Sequence, residues 1–188
     1  MTKLVPVLVF GDRSPYIVEK AQKIGLGEEH IHGDPMTADI QAIVSPANTI
    51  GDMSGGYDLV IRNRLGIEVE DDVKESLSKF PLYLGQARTI KTHDPKIKRL
   101  IVVPTVVGAL RGGNTSIGSL QTMTPSMDVI ERGAYNLMIE AYKAGITKVG
   151  TVLLGGGVGG APKEQALRAM LEGYGKAYDE IYEQIQEN

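Results

Sequence analysis

Short runs of continuous apolar residues alternate along this chain with stretches whose apolar positions recur every three or four residues. The runs at residues 4–10, 40–44, 100–107 and 149–154 are too short for helices and rich in β-branched side chains. They predict strands buried on both faces. Residues around Ile31 and residues 88–92 predict two more strands, the second near an edge because polar side chains dominate it. Ser14 and Pro15 read as a cap and first-turn proline opening a helix with Ile17, Ala21 and Ile24 on one face and Gly25 as its stop. Tyr57, Ile61 and Leu65 mark a second helix closed by Gly66, and Val69, Val73 and Leu77 a third ending at Phe80-Pro81. Thr124-Pro125 opens a long helix with Ile130, Leu137, Met138, Ala141 and Tyr142 inward. Pro162 suits the first position of the last helix, whose inner face carries Leu167, Met170, Leu171, Tyr174, Tyr178, Ile181 and Ile185. This alternation predicts an α/β fold of three layers, α/β/α, around a mixed, mostly parallel central sheet. With no repeat, linker or low-complexity tail, residues 1–188 are expected to form a single domain.

Composition narrows the function classes. With 42% hydrophobic and 23% charged residues, the chain has the make-up of an ordinary soluble globular protein. Its formal net charge of −3 argues against a general nucleic-acid surface, which shows a basic excess. The absence of cysteine excludes disulfides, thiolate metal sites and a cysteine nucleophile. The apolar run at residues 4–10 is too short for a membrane span or a signal-peptide core, so a cytoplasmic location and no membrane partner are expected. Residues 108–124 are rich in Gly, Ser and Thr and lack periodicity, a length usual for a functional lid or a mobile loop.

Two glycine-rich stretches each follow a predicted strand and precede a predicted helix. The first lies within residues 43–58, IVSPANTIGDMSGGYD, and the second at residues 155–162, GGGVGGAP. Glycine allows positive φ and close backbone approach, and a helix N-terminus adds partial positive charge, so both suit an anion. In an open α/β sheet, ligands bind outside the carboxyl ends of the strands, where two such loops can hold opposite sides of one diphosphate. Neither loop is followed by the Lys-Ser/Thr pair of a P-loop, so phosphoryl transfer from ATP is unsupported. A small phosphate-containing ligand held by backbone is the expected partner.

These residues resemble the macro domain, the ADP-ribose-binding module. The Gly-Asp of its opening segment corresponds to Gly33-Asp34, and its strand-end motif to Ile43-Val44-Ser45-Pro46-Ala47-Asn48. Its first glycine loop corresponds to Gly55-Gly56-Tyr57-Asp58, and its second to Gly157-Val158-Gly159-Gly160-Ala161-Pro162. The resemblance runs from about residue 30 to the end. It implies that Asp34 accepts a hydrogen bond from the adenine amine, with Pro35 beside it. It implies further that Asn48 positions the distal ribose with Asp58 alongside. Ala47, Gly55, Gly56 and Tyr57, with Gly155, Gly156, Gly157, Val158, Gly159 and Gly160, would complete the ligand site. In hydrolytic members of the family, the counterparts of Asn48 and Asp58 act at the anomeric carbon of the distal ribose. The resemblance thus implies hydrolysis of a mono-ADP-ribosyl or ADP-ribose-1″-phosphate substrate. The alternatives are a non-catalytic reader of ADP-ribose or ADP-ribosylated protein, and an interaction protein with a degenerate pocket. No cofactor is implied. Ser45 and Pro46 depart from the family's motif, and Pro35, having no N–H, leaves one base contact unmade. Gly159 and Ala161 replace frequent aromatics, a loss of roughly 1 kcal/mol of stacking.

Asp58 has two readings. As an acid near a helix start it gains ~0.3–1 kcal/mol from the dipole. As chemistry, the same helix end is expected to keep its pKa low, so that it orients water and stabilises positive charge on the sugar. Asn48 likewise reads as a ribose contact or as an Asx-turn residue. His30, His32 and His93 lack the companions of a zinc site, and no metal is expected. Glu68, Glu70, Asp71 and Asp72 read as a solvated helix face. Tyr174, Tyr178 and Tyr182 read as core or interface, Arg111 as a mobile surface residue, and Ser116 and Ser119 as serines without a base.

Overall fold

The computed structural model describes residues 4–108 and 124–187. Arg111, Ser116, Ser119 and nearly all of the long loop expected at 108–124 lie outside the described residues. The strands are β1 (Val7–Asp12), β2 (Glu29–His32), β3 (Ala42–Ser45), β4 (Arg88–Lys91), β5 (Arg99–Val102) and β6 (Lys148–Thr151). They form one sheet in the order β2-β1-β6-β3-β5-β4. Every pairing is parallel except β4 with β5, which runs antiparallel. Five helices pack on this mixed sheet: α1 (Pro15–Ile24), α2 (Gly56–Leu65), α3 (Glu68–Lys79), α4 (Met127–Lys143) and α5 (Lys163–Gln186). None of the described helices is long and apolar enough to cross a membrane.

The inner strands β1, β3, β5 and β6 are buried on both faces, whereas the edge strands β2 and β4 are partly exposed, and successive side chains go to opposite layers. Leu8 and Phe10 of β1, Val44 of β3 and Val149 of β6 join α1, α4 and α5 in one core cluster. Val9, Ile43, Leu100 and Val102 face the other way, against Ile61 and Leu65 of α2 and Val69, Val73 and Leu77 of α3. The three-layer expectation is met.

Several boundaries differ for local reasons. Leu4 is exposed, and β1 instead extends through Gly11 and Asp12, which pair with Ile31 and His32. The run expected as a strand over 100–107 leaves the sheet at Val102, before Pro104, which has no N–H to donate. Pairing with the β3 side continues past it as a ribbon: Val103 N–H donates to Ser45 O, Thr105 N–H to Ala47 O, and Asn48 bridges Val106. A short 3-10 helix, Pro35–Thr37, went unpredicted; the Asp34 side chain caps it by accepting Met36 N–H at 2.9 Å. Ser126, not Thr124, caps α4. Pro162 is the cap of α5, not its first residue. Tyr178 and Tyr182 of α5 are exposed and their rings stack, whereas Tyr174 is buried.

Candidate functional site

Parallel strands send their connections out at one end. The loops after β3 and β6, neighbours in the sheet, therefore emerge side by side. The first loop is shaped by Asn48. Its Oδ1 accepts Ile50 N–H (3.2 Å) and Asp52 N–H (3.1 Å), and its Nδ2 donates to Asp52 O (2.8 Å). This is the Asx-turn use of an asparagine, and it engages both ends of the amide. Met53 N–H donates to Glu70 from α3. The loop then enters α2, whose first turn has no side-chain cap, so the N–H groups of Gly56, Tyr57 and Asp58 have no intrahelical acceptor.

The second loop is held by its own backbone. Gly156 N–H donates to Leu153 O, Gly160 N–H to Gly157 O, and Ala161 N–H to Gly155 O. The N–H groups of Gly157 and Gly159 make no backbone hydrogen bond among the described residues. Gly159 is buried because Pro125 lies on it. A Cβ there would meet Gly155 O at 2.9 Å and Pro125 Cδ at 3.0 Å, so the loop has no room for the family's aromatic.

The two loops touch. Gly56 takes φ +58, and a Cβ added to it would lie 3.2 Å from Val158 Cγ2. Segments about a hundred residues apart in the chain thus form facing walls, with uncapped N–H groups on both. Gly55, Gly56, Gly157, Val158 and Gly160 are exposed there. Pro35 and Ala47 are buried in packing instead, Ala47 in the same core cluster as Met53. Tyr57 OH donates to Asp34 Oδ1 at 2.6 Å, tying the start of α2 to the 3-10 helix. Burial and this bond to a carboxylate push the Tyr57 pKa far up.

Asp58 overturns the expectation of a low pKa. It is only 6% exposed, and burial drives its pKa up to about 7, partly offset by a hydrogen bond from Ser45 and reinforced by the charge of Asp52. The bond runs from Ser45 Oγ to Asp58 Oδ1 at 2.7 Å. Desolvation outweighs the helix N-terminus here. Glu70 is a second correction. Instead of facing solvent it is buried at 6% exposure, where it pairs with Arg62 (3.0 Å) and Lys74 (2.7 Å). Burial raises its pKa, but Lys74, Met53 N–H and Arg62 outweigh that and hold it low. No cluster of three or more metal-ligating side chains occurs among the described residues. His30 and His32 bond to the carbonyls of Leu26 and Arg13, and His93 to Asp72.

One feature escaped the sequence reading. A cavity of about 530 Å³ opens between the first turns of α1 and α5, lined by Ser14, Tyr16, Ile17, Pro162, Lys163 and Arg168. Its signal was present: two prolines, Pro15 and Pro162, mark where neighbouring strands β1 and β6 feed helices on the same side. A larger hollow of about 920 Å³ lies at the opposite, amino ends of β3, β5 and β6 and touches neither glycine loop.

A mostly parallel sheet with two glycine loops meeting at its carboxyl ends is the α/β arrangement in which ligands are generally held outside the strand ends. The Macro domain family profile matches residues 44–170, and the chain belongs to that family. A curated relative, an uncharacterized protein of Aquifex aeolicus (strain VF5), is 32% identical over 143 residues, covering 76% of this chain and 77% of the relative. Among solved structures, the macrodomain of Mycobacterium tuberculosis DarG superposes with a TM-score of 0.63 at 21% identity, over 78% of this chain and 89% of the other. The Trypanosoma brucei macrodomain in complex with ADP-ribose gives 0.62 at 22% identity, over 95% and 68%. Thermosipho africanus DarTG in complex with ADP-ribose gives 0.63 at 18% identity, over 77% of this chain and 38% of its own length.

Proposed function

We propose that the chain binds ADP-ribose or a close derivative between the two glycine loops and hydrolyses the bond at the anomeric carbon of the distal ribose. The observation that carries the reading is the meeting of Gly56 and Val158, which brings the N–H groups of the two glycine loops to one place at the carboxyl ends of β3 and β6. Solved macrodomains that this chain resembles hold ADP-ribose, and that supports the choice of ligand. Backbone N–H groups and the α2 dipole would hydrogen-bond the diphosphate and offset part of its charge. Asp58 supports turnover: a carboxyl group poised near neutrality is suited to taking a proton from water. In the proposed step, water oxygen attacks the anomeric carbon while its proton passes to Asp58. The C–O bond to the leaving carboxylate or phosphate breaks, and that group departs with the electron pair. The substrates would be ADP-ribosyl esters on protein side chains or ADP-ribose-1″-phosphate.

A second reading has its own support. The Asn48 amide is engaged at both ends within its loop, which supports a role in holding the loop rather than in turnover. A reader that binds without turnover needs no more than that. Thermal shift with ADP-ribose, AMP and NAD tests binding, with stabilisation expected from ADP-ribose. Release of ADP-ribose from a mono-ADP-ribosylated protein then separates the readings: turnover supports the hydrolase, and binding without release the reader.

A further inference from the structure

We propose that Ser45 is a positioning residue for this reaction: its hydroxyl, fixed at the end of β3, holds Oδ1 of Asp58 and leaves Oδ2 to water and substrate. The inference rests on the reading of Asp58 as the group that handles the proton.

Three observations carry it. First, Ser45 is rigidly placed. It is fully buried, it pairs with Val102 in the β3–β5 ladder, and its carbonyl accepts Val103 N–H at 2.9 Å. A short side chain on such a backbone puts its oxygen in one place, 2.7 Å from Asp58 Oδ1. Second, the two carboxylate oxygens are unequal. Every fully buried side-chain oxygen among the described residues has a hydrogen-bond partner, and the single bond to Asp58 goes to Oδ1. Oδ2 is therefore the oxygen with accessible surface. Third, Ser45 stands alone as a counterweight. The other groups around Asp58 are Asp52, which is negative, and Arg62, one turn further along α2. Arg62 is committed to Glu70, which also engages Lys74 and Met53 N–H. Tyr57 turns its hydroxyl to Asp34. No cation pairs with Asp58 among the described residues, so one neutral donor is what favours its ionised form against burial.

The test reads the Asp58 carboxyl directly, by carbon NMR titration of the whole protein, beside the pH dependence of ADP-ribose release. In Ser45→Ala the midpoint of Asp58 should rise by about one pH unit, and the acidic limb of kcat should move with it while KM stays put. Ser45→Thr keeps the hydroxyl and should restore the wild-type midpoint. Should Ser45→Ala not fold, Ser45→Cys, near in shape and a far weaker donor, makes the same comparison. Hydrolysis by wild type with an unmoved midpoint in the Ala or Cys variant overturns the role of Ser45 and leaves the proposed function standing. A moved midpoint with no hydrolysis by wild type overturns the proposed reaction, and leaves Ser45 as the group that sets the charge of Asp58.

Discussion

The two glycine loops do related work by different means. The first is braced by side chains: Asn48 ties Ile50 and Asp52, Glu70 reaches in from α3 to Met53, and Ser45 sits against Asp58. The second is braced by its own carbonyls and by Pro125 pressed onto Gly159. A loop shaped by side chains can carry chemistry, because its polar groups have distinct environments, but single substitutions can disassemble it. A loop shaped by backbone offers N–H groups and little else. Under the proposed function, catalysis and binding are divided between the walls, with the proton handled on the first and the charge of the ligand shared by both.

The sharpest way to break that comparison is Asp58→Asn. Loss of a general base costs about 10²–10⁴-fold in kcat. ADP-ribose affinity by calorimetry should stay close to wild type. Equal losses in both would show that the walls are not divided. Next in size is a pH effect on stability. The Asp58 pKa is pushed from 3.8 up to about 7 in the folded state, so between those values the folded protein keeps a proton that the unfolded chain sheds. The resulting stability is whole below about pH 4 and lost as pH rises through about 7, on the order of a few kcal/mol. Urea denaturation across that range should show the decline in wild type and its absence in Asp58→Asn. On the second wall, Gly159→Phe has to displace Pro125 or Gly155 O, costing about 1–3 kcal/mol. Melting temperature and ADP-ribose affinity should fall while the pH dependence of kcat stays unchanged. Asn48→Ala should have the smallest effect, roughly 1–2 kcal/mol in urea denaturation, because water can replace part of what the amide supplies to an accessible loop.

Much of this was legible in the chain. Continuous apolar runs such as residues 149–154 marked strands buried on both faces, and the burial of Val149 in one core cluster and Ile43 in the other agrees. Gly55-Gly56 and residues 155–160 stood out by their glycine content, and Gly56, Gly155 and Gly160 do take the positive φ that glycine tolerates. What failed was anything set by neighbours distant in sequence. The position of Asp58 at a helix start was visible, but the layer of protein that desolvates it was not, and its ionisation was read the wrong way. Glu70 sits in a run of acids that looks solvated; its burial depends on Arg62 from α2 and on the loop it braces. Asn48 showed its turn-forming chemistry in the sequence, yet only coordinates reveal that both ends of the amide are used. The cavity beside Tyr16 depends on β1 lying next to β6, a pairing that no local pattern encodes.

That last pairing governs how the molecule is made. β1 is flanked by β2 on one side and by β6, residues 148–151, on the other. As the nascent polypeptide leaves the ribosome, its first strand has one edge open until well over a hundred further residues have emerged. Contacts so distant along the chain slow folding, and an unpaired apolar edge is the surface through which partly made proteins aggregate. The second glycine loop arrives later still, so under the proposed function ADP-ribose cannot stabilise a fragment that ends before it. A pulse of ADP-ribose should rescue finished molecules and leave ribosome-bound fragments ending before residue 155 unaffected.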